Sequence, residues 1–228
     1  MRLAVIPARG GSKRIPRKNV KLFHGKPMIA WSIEVAKKSG CFDQILVSTD
    51  DSEIAEIAIS YGADAPFIRP AELSDDFTGT QPVISHAIEW KIKNGEKPSE
   101  VCCIYATAPF LSANDLVRGH LLLNQEDCDY SFSATSYAFP IQRSFRVTSS
   151  KRVEMFFPEY FESRSQDLED AYHDAGQFYW GKVDAWAKDE PIFSLKASPV
   201  ILPRHLVQDI DTPNDWLRAE LMFKALHL

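Results

Sequence analysis

A cationic segment that contains two adjacent glycines follows directly on the first apolar run of the sequence. It covers residues 7–19 and carries five basic side chains, namely Arg9, Lys13, Arg14, Arg17 and Lys18. The glycines let backbone N–H groups approach a ligand closely, and the cations can neutralise a polyphosphate. Because the segment follows a predicted strand, we expect it to bind the phosphates of a nucleotide and not to be merely a solvated charged loop.

This segment matches neither of the standard phosphate-binding motifs. It lacks the glycine spacing G-x-G-x-x-G of dinucleotide-binding enzymes, and no glycine-lysine-serine or glycine-lysine-threonine triplet closes it as in a P-loop. The sequence therefore disfavours both a dehydrogenase and a P-loop ATPase.

Two aspartates, Asp209 and Asp211, lie between an apolar run and the last predicted helix. Side chains two residues apart in an extended segment point the same way, so both carboxylates could bind one Mg²⁺ that substrate phosphates also bridge. The alternative is that Asp211 caps the helix and Asp209 is solvated. The pair alone leaves both possibilities open, and it favours a metal site only beside a triphosphate-binding loop.

The segment 164–180 is dense in side chains that form hydrogen bonds. Arg164 could bind a carboxylate through its planar guanidinium, and other members could bind hydroxyl or N-acyl groups, namely Gln166, His173, Asp174 and Gln177. The alternative is an exposed polar turn before a strand whose aromatic side chains belong to the core. The residues alone favour this alternative.

The apolar patterns that must position these side chains predict alternating strands and helices. We expect strands at residues 3–8, 44–49, 66–69, 101–105, 130–135, 176–180 and 198–202. We expect helices from residue 28 to about 36, and at 52–61, 81–93, 113–125 and 216–225, with Ser112 and Thr212 as N-caps. This alternation predicts a doubly wound α/β sheet.

The pattern changes between residue 137 and about residue 164, where aromatic and charged residues accompany Pro140 and Pro158. We expect one domain over residues 1–228, with an arm at about 137–170 that leaves the sheet. The arm either contacts a second subunit in a dimer or lies as a long loop on its own subunit.

Composition restricts the classes of partner. The net charge of −5 disfavours a general nucleic-acid surface. The four cysteines show no C-x-x-C spacing, which indicates a reducing compartment, and no apolar stretch has the length of a membrane span. The N-terminal apolar run reaches Pro7 too early for a signal peptide, so we expect a cytoplasmic protein that binds neither membrane nor nucleic acid.

Four motifs, in this order along the chain, resemble those of the acylneuraminate cytidylyltransferases. They are ARGGSK at 8–13 with the following Lys18-Asn19, VSTDD at 47–51, RPAEL at 69–73 and DIDT at 209–212. Within that family, RSQDL at 164–168 and YHDAGQFYW at 172–180 are most similar to the bacterial enzymes that activate pseudaminic acid. The sialic-acid enzymes usually have an Arg-Pro-Asn-Gly type sequence before that strand and a glutamine at the position of Tyr105.

The resemblance implies a Rossmann-like α/β fold with a mostly parallel sheet, a homodimer built partly through the arm, and an active site at the carboxyl edge of the sheet. It also implies a reaction in which CMP is transferred from CTP to pseudaminic acid, with Mg²⁺ bound, for surface-glycan synthesis. Alternatives are the same reaction on N-acetylneuraminic or legionaminic acid, an eight-carbon-sugar cytidylyltransferase, and a catalytically silent nucleotide-binding regulator.

The resemblance also implies roles for individual residues. The expected nucleotide-binding residues are Ala8, Arg9, Gly10, Ser12, Lys18, Asn19, Arg69, Asp76 and Thr80. The expected sugar-binding residues are Tyr105, Gln142, Arg143, Arg164, Gln166, His173, Asp174, Gln177 and Tyr179. We expect Asp209 and Asp211 to bind the metal, and Arg9, Lys18 and Asp211 to be catalytic.

Overall fold

The computed structural model describes residues 1–125 and 127–227. The strands are β1 (Arg2–Pro7), β2 (Leu22–Phe23), β3 (Lys26–Pro27), β4 (Gln44–Ser48), β5 (Glu100–Ile104), β6 (Tyr130–Ser136), β7 (Phe145–Val147), β8 (Val153–Met155), β9 (Tyr172–Lys182) and β10 (Ala197–Leu202). The helices are α1 (Met28–Ser39), α2 (Ser52–Ser60), α3 (Thr80–Lys93), α4 (Ala113–Leu123), α5 (Val183–Ala187) and α6 (Pro213–Leu226).

Six of these strands form a central sheet in the order β10-β6-β9-β5-β1-β4. β1 pairs in parallel with β4 and β5, and β10 pairs in parallel with β6. β9 runs antiparallel to its neighbours β5 and β6. The sheet is therefore mostly parallel, which confirms the expected fold class.

Helices cover both faces of this sheet. Ile29 of α1 and Leu116 of α4 pack on one face, together with residues of α2. Ile84 of α3 and Trp186 of α5 pack on the opposite face. Successive residues of a strand point to opposite faces, so the uninterrupted apolar run of β1 is buried on both sides.

The last helix packs elsewhere, against the segment that follows β1. Trp216 and Phe223 of α6 are buried with Ile15 of the cationic segment and with Phe23 of β2. Ile210 belongs to the same cluster. Burial of these apolar side chains therefore fixes residues 209–212 beside the cationic segment.

The helices and most of the strands lie where the sequence predicts them, and both predicted N-caps accept a backbone hydrogen bond. Residues 66–69 do not form the predicted strand. Only Ile68 pairs there, in an isolated bridge with Thr49. Pro66 and Pro70 flank this bridge, and a proline nitrogen cannot donate a ladder hydrogen bond. β9 also begins four residues earlier than predicted.

The predicted arm leaves the sheet at the end of β6 and returns at the start of β9. A hydrogen bond of 3.0 Å from Tyr137 N to Ala171 O closes its base, and β7 and β8 pair with each other inside it. Phe139 and Phe161 are 81% and 65% exposed. That the arm forms a dimer contact stays a prediction.

The four cysteines are buried and unpaired. Burial raises the pKa of the thiols of Cys102 and Cys103, which keeps them protonated and unreactive. None of the helices in the described ranges is both long enough and apolar enough to cross a bilayer.

Candidate active site

The cationic segment after β1 is fixed by two acidic residues at the carboxyl end of β4. Gly10 N donates to Asp50 Oδ1 at 2.9 Å, and the guanidinium of Arg17 binds both carboxylate oxygens of Asp51. Arg17 also pairs with Glu53 in α2. A side chain at Gly10 would not fit, because its Cβ would lie 2.6 Å from Asp51 Oδ2. Neither acidic residue was expected at the site from the sequence.

These bonds turn Arg17 towards α2. The hydrogen bond from Arg17 lowers the pKa of Asp51 although burial opposes it, so the pair is held as a charged pair. The four other cations of the segment line a cavity instead, namely Arg9, Lys13, Arg14 and Lys18. The expectation that Arg17 neutralises phosphate is therefore not supported by its position.

The cavity has a volume of about 300 Å³ and lies at the carboxyl ends of β1 and β5; we call it the cationic cavity. Seven of the nine expected nucleotide-binding residues line it, namely Arg9, Ser12, Lys18, Asn19, Arg69, Asp76 and Thr80. Ala8 is buried beneath it, and Gly10 lies in the supporting backbone. The structure thus brings most of this set together, whereas their roles stay predictions.

One wall of the cationic cavity carries its own carboxylate. Arg9 Nη1 donates to Asp76 Oδ1 at 2.6 Å and to the carbonyl oxygen of Asp75 at 2.7 Å, and Lys13 also pairs with Asp76. Hydrogen bonds from Lys13 and Arg9 lower the pKa of Asp76. A polyphosphate in this cavity would compete with Asp76 for the same two cations.

Asp211 faces the cationic cavity from the opposite side. Lys18 Nζ lies 3.2 Å from Asp211 Oδ1 and donates to the carbonyl oxygen of Ile210 at 2.6 Å, and Arg14 Nη2 lies 2.7 Å from Asp211 Oδ2. Thr212 caps α6 and forms a capping box with Asp215. The carboxylate of Asp211 is therefore not the helix cap, which removes that alternative.

Asp209 does not line the cationic cavity, yet the charge of Asp211 affects it. Burial raises the pKa of Asp209, and repulsion by Asp211 raises it further. Two such carboxylates are suited to a divalent cation, which would relieve their repulsion. No cluster of three or more potential metal ligands occurs in the described ranges, so substrate phosphates and water would have to complete the coordination of Mg²⁺.

A second cavity, of about 500 Å³, adjoins the first over the β6 and β9 half of the sheet; we call it the acceptor cavity. Four of the expected sugar-binding residues line it, namely Tyr105, His173, Asp174 and Tyr179. Other polar side chains of the lining were not expected there from the sequence, namely Thr135, Ser136, Arg204, Gln208 and Arg218. Tyr105 lines both cavities and therefore marks their boundary.

Asp174 is held as a hydrogen-bond acceptor in the acceptor cavity. Tyr179 Oη donates to Asp174 Oδ2, and Gly176 N donates to Oδ1 at 2.8 Å. The hydroxyl of Tyr105 bonds to Thr80 Oγ1 at 2.9 Å, on the side of the cationic cavity. Burial raises the pKa of Tyr179 and of Tyr105, so both phenols stay protonated.

The remaining expected sugar-binding residues lie outside the lining of both cavities, namely Gln142, Arg143, Arg164, Gln166 and Gln177. The first four belong to the arm, where Arg164 Nε lies 2.7 Å from Asp167 Oδ2. Gln177 is buried in β9, and its side chain donates to the carbonyl oxygen of Leu206 at 2.6 Å. Arg164 is thus already paired within the arm.

Sequence comparison relates the chain to known proteins along its whole length. It is 48% identical over 225 residues to the pseudaminic acid cytidylyltransferase of Campylobacter jejuni subsp. jejuni serotype O:23/36 (strain 81-176), covering 99% of this chain and 97% of that protein. It is 31% identical to the CMP-N,N'-diacetyllegionaminic acid synthase of Legionella pneumophila subsp. pneumophila, covering 97% and 96%. These matches confirm the resemblance drawn from the motifs.

The fold comparison gives the same architecture. A solved structure of CMP:2-keto-3-deoxy-manno-octonic acid synthetase complexed with CTP matches with a TM-score of 0.72, covering 100% of this chain and 99% of that one at 16% identity. The family model described as Cytidylyltransferase matches residues 3–206. This match spans both cavity-bearing halves of the sheet, and the chain therefore belongs to the cytidylyltransferase family.

Proposed function

We propose that the chain transfers CMP from CTP to the anomeric hydroxyl of pseudaminic acid and releases pyrophosphate, for the synthesis of bacterial surface glycans. The observation that carries the proposal is the junction of the two cavities at Tyr105, which places a cationic site beside a site rich in hydrogen-bonding groups. The full-length similarity to a pseudaminic acid cytidylyltransferase supports this choice of sugar.

The nucleotide belongs in the cationic cavity on this proposal. Arg9 and Lys18 are positioned by the segment that Asp50 and Asp51 fix, so they can neutralise the triphosphate without a large rearrangement of the backbone. Arg69 is only 4% exposed, and its Nε donates to Ser74 at 3.1 Å, which makes it a rigid part of the cavity wall.

The acceptor sugar belongs in the acceptor cavity. The oxygen of its anomeric hydroxyl forms a bond to the α-phosphorus of CTP, and the bond from that phosphorus to the β-phosphate oxygen breaks. Pyrophosphate leaves with the bond electrons, and the proton of the hydroxyl is released to solvent. Arg9 and Lys18 stabilise the negative charge that develops on the phosphate oxygens. Asp174 can accept a hydrogen bond from the sugar and so orient it.

We further propose that Asp209 and Asp211 hold Mg²⁺. The ion would supply charge neutralisation and orientation of the triphosphate. Lys18 and Arg14, which pair with Asp211 in this structure, also line the cationic cavity and can bind the phosphates when the carboxylate binds the ion. This arrangement is the reason why we include Asp211 among the catalytic residues.

The assembly and location follow the same proposal. The exposed aromatic side chains of the arm, among them Phe139 and Phe161, support burial against a second copy of the chain in a homodimer. Four cysteines that are buried and unpaired support a reducing compartment, the cytoplasm.

Pyrophosphate release tests the proposed function. CTP and Mg²⁺ are supplied with pseudaminic, N-acetylneuraminic or legionaminic acid, or without sugar, to the wild type, to Asp211→Asn and to Asp64→Asn. Asp64 is an exposed aspartate beyond the cavities and serves as the matched control. We expect pyrophosphate release with pseudaminic acid from the wild type and from the control. In Asp211→Asn the rate of release should fall roughly 10²–10³-fold, by analogy with the loss of one stabilising group at a transition state.

Other outcomes separate the alternatives. Release with a different sugar would retain the reaction and overturn the choice of acceptor. CTP binding without release from any sugar would favour a silent nucleotide-binding protein. Wild-type turnover in Asp211→Asn would overturn the metal assignment.

A further inference from the structure

Two arginines in the wall of the acceptor cavity, Arg204 and Arg218, have no role in the chemistry described so far. Arg204 begins the short 3-10 turn Arg204–Leu206 after β10, and Arg218 lies in the second turn of α6. Both line the acceptor cavity together with Asp209, which lies between them in the sequence. Neither belongs to the residues that the sequence analysis assigned to the sugar.

The charged side chains in this wall differ in how free they are to bind a ligand. Asp174 already accepts hydrogen bonds from Tyr179 and from Gly176 N, and burial, together with repulsion by Asp211, raises the pKa of Asp209. Arg204 and Arg218 are the permanently cationic side chains among the lining residues of this cavity. A carboxylate bound here without a cation would lose hydration without compensation.

Both guanidinium groups retain donors for a ligand. Arg204 Nη1 donates to the carbonyl oxygen of Tyr137 at 3.1 Å, which anchors the guanidinium at the base of the arm and occupies one of its five N–H groups. Arg218 forms no ion pair within the described ranges. Its nearest effect on a carboxylate is small, because the pKa of Asp215 is lowered mainly by hydrogen bonds from Thr212 and only slightly by the charge of Arg218.

Arg164, the arginine expected to bind the substrate carboxylate, differs from Arg204 and Arg218 in its position and in the availability of its donors. It lies outside the lining of the acceptor cavity, and it forms two hydrogen bonds with Asp167, of 2.7 and 3.1 Å. Binding a substrate carboxylate would require Arg164 to break this pair and to move.

We infer that Arg204 and Arg218 bind the carboxylate of the acidic acceptor sugar and so orient its anomeric hydroxyl towards the cationic cavity. The inference rests on the proposed function, because it takes the acceptor to be a sugar acid. It adds the residues that recognise the acid group, whichever nine-carbon acid the enzyme uses. The two residues are binding residues, and the reacting atoms remain with the groups already described.

Steady-state pyrophosphate release with Arg204→Gln, Arg218→Gln and the double variant tests the inference. The sugar acid is the one that the wild type turns over, and it is compared with its C1 carboxamide, which has no charge. Lys224→Gln is the matched control, because it removes a positive charge from an exposed position of α6 outside the cavity. Thermal unfolding of each variant shows whether it folds.

We expect each single substitution to raise KM for the sugar acid about tenfold, the usual order for a charge-assisted hydrogen bond, and to leave KM for CTP within about twofold. For the carboxamide, the wild type and Arg218→Gln should have KM values within about twofold of each other. Lys224→Gln should behave as the wild type with both substrates.

The results separate failure of the inference from failure of the proposed function. If the wild type turns over the sugar acid and Arg218→Gln keeps its KM, the inference is overturned and the function stands. If the wild type releases no pyrophosphate with any sugar acid, the function and the inference fall together. Should Arg204→Gln fold poorly because Tyr137 loses its donor, Arg218→Gln alone decides the question, since Arg218 donates to no part of the arm within residues 1–125 and 127–227.

Discussion

The pairing of Arg17 with Asp51 predicts that residues outside the lining of the cationic cavity control the binding of CTP. The perturbation is Asp51→Ser, which removes the carboxylate that Arg17 binds. Asp51 is the N-cap of α2 and accepts a hydrogen bond from Ile54 N. Serine is also a good N-cap, so its hydroxyl can accept the same bond. The substitution therefore separates fixation of the cationic segment from stability of the helix.

The structure sets the expected magnitude. A hydrogen bond between charged groups contributes about 1.5–3 kcal/mol. The side chains of Arg17 and Asp51 are 39% and 21% exposed, so solvent screening reduces this to about 1–2 kcal/mol. If the segment must be held in place to bind the triphosphate, KM for CTP should rise by roughly 5–30-fold, and KM for the sugar should change much less.

The assay is a double-mutant cycle on KM for CTP and on the free energy of unfolding in urea. The variants are Asp51→Ser, Arg17→Gln and the combination, with Glu53→Gln as the control for the second carboxylate that Arg17 binds. The two substitutions should not be additive, because each removes the same interaction. Additive effects, or an unchanged KM for CTP in both single variants, would refute the view that this pair positions the segment.

Three further predictions concern packing, the acceptor cavity and acid stability. Gly181→Ala should lower the free energy of unfolding in urea by about 1–3 kcal/mol, because its Cβ would lie 2.6 Å from the Tyr130 ring; a change below about 0.5 kcal/mol would contradict this. Tyr179→Phe should raise KM for the sugar about tenfold and spare KM for CTP, because Asp174 loses a donor; equal effects on both KM values would indicate a general structural defect. The contribution of Asp51 to stability should be complete above about pH 5 and should disappear as the pH falls through the lowered pKa of its carboxylate. The free energy of unfolding of Asp51→Ser in urea should therefore depend less on pH in this range than that of the wild type.

Local sequence patterns predicted the first half of the molecule well. The apolar run of β1, the glycines after it and the helical spacing that follows are all short-range signals. Because the carboxyl ends of parallel strands meet at one edge, these signals also placed Arg9 and Lys18 in a common cavity. The order of the residues and the geometry of a parallel sheet were therefore enough to predict this cavity.

The acceptor cavity could not be predicted in the same way, because it combines β6, β9, the turn after β10 and α6. Arg204 and Arg218 lie on different elements, and no spacing in the sequence shows that they meet in one cavity. The family resemblance assigned Arg164 to the sugar, whereas its polar neighbours alone favoured an exposed turn, and in this structure Arg164 pairs with Asp167 in the same segment. Local polarity therefore could not distinguish a binding residue from a self-contained turn.

The reversed direction of β9 has a consequence for how acceptor specificity can evolve. Since β9 runs against its neighbours, it enters the sheet at the substrate edge, and the arm that precedes it opens directly beside the acceptor cavity. The cationic cavity is built from the parallel β1 and β5 and from the segment that β4 fixes. Substitutions, insertions or deletions between β6 and β9 can thus change the accepted sugar while the machinery that handles the nucleotide is inherited unchanged.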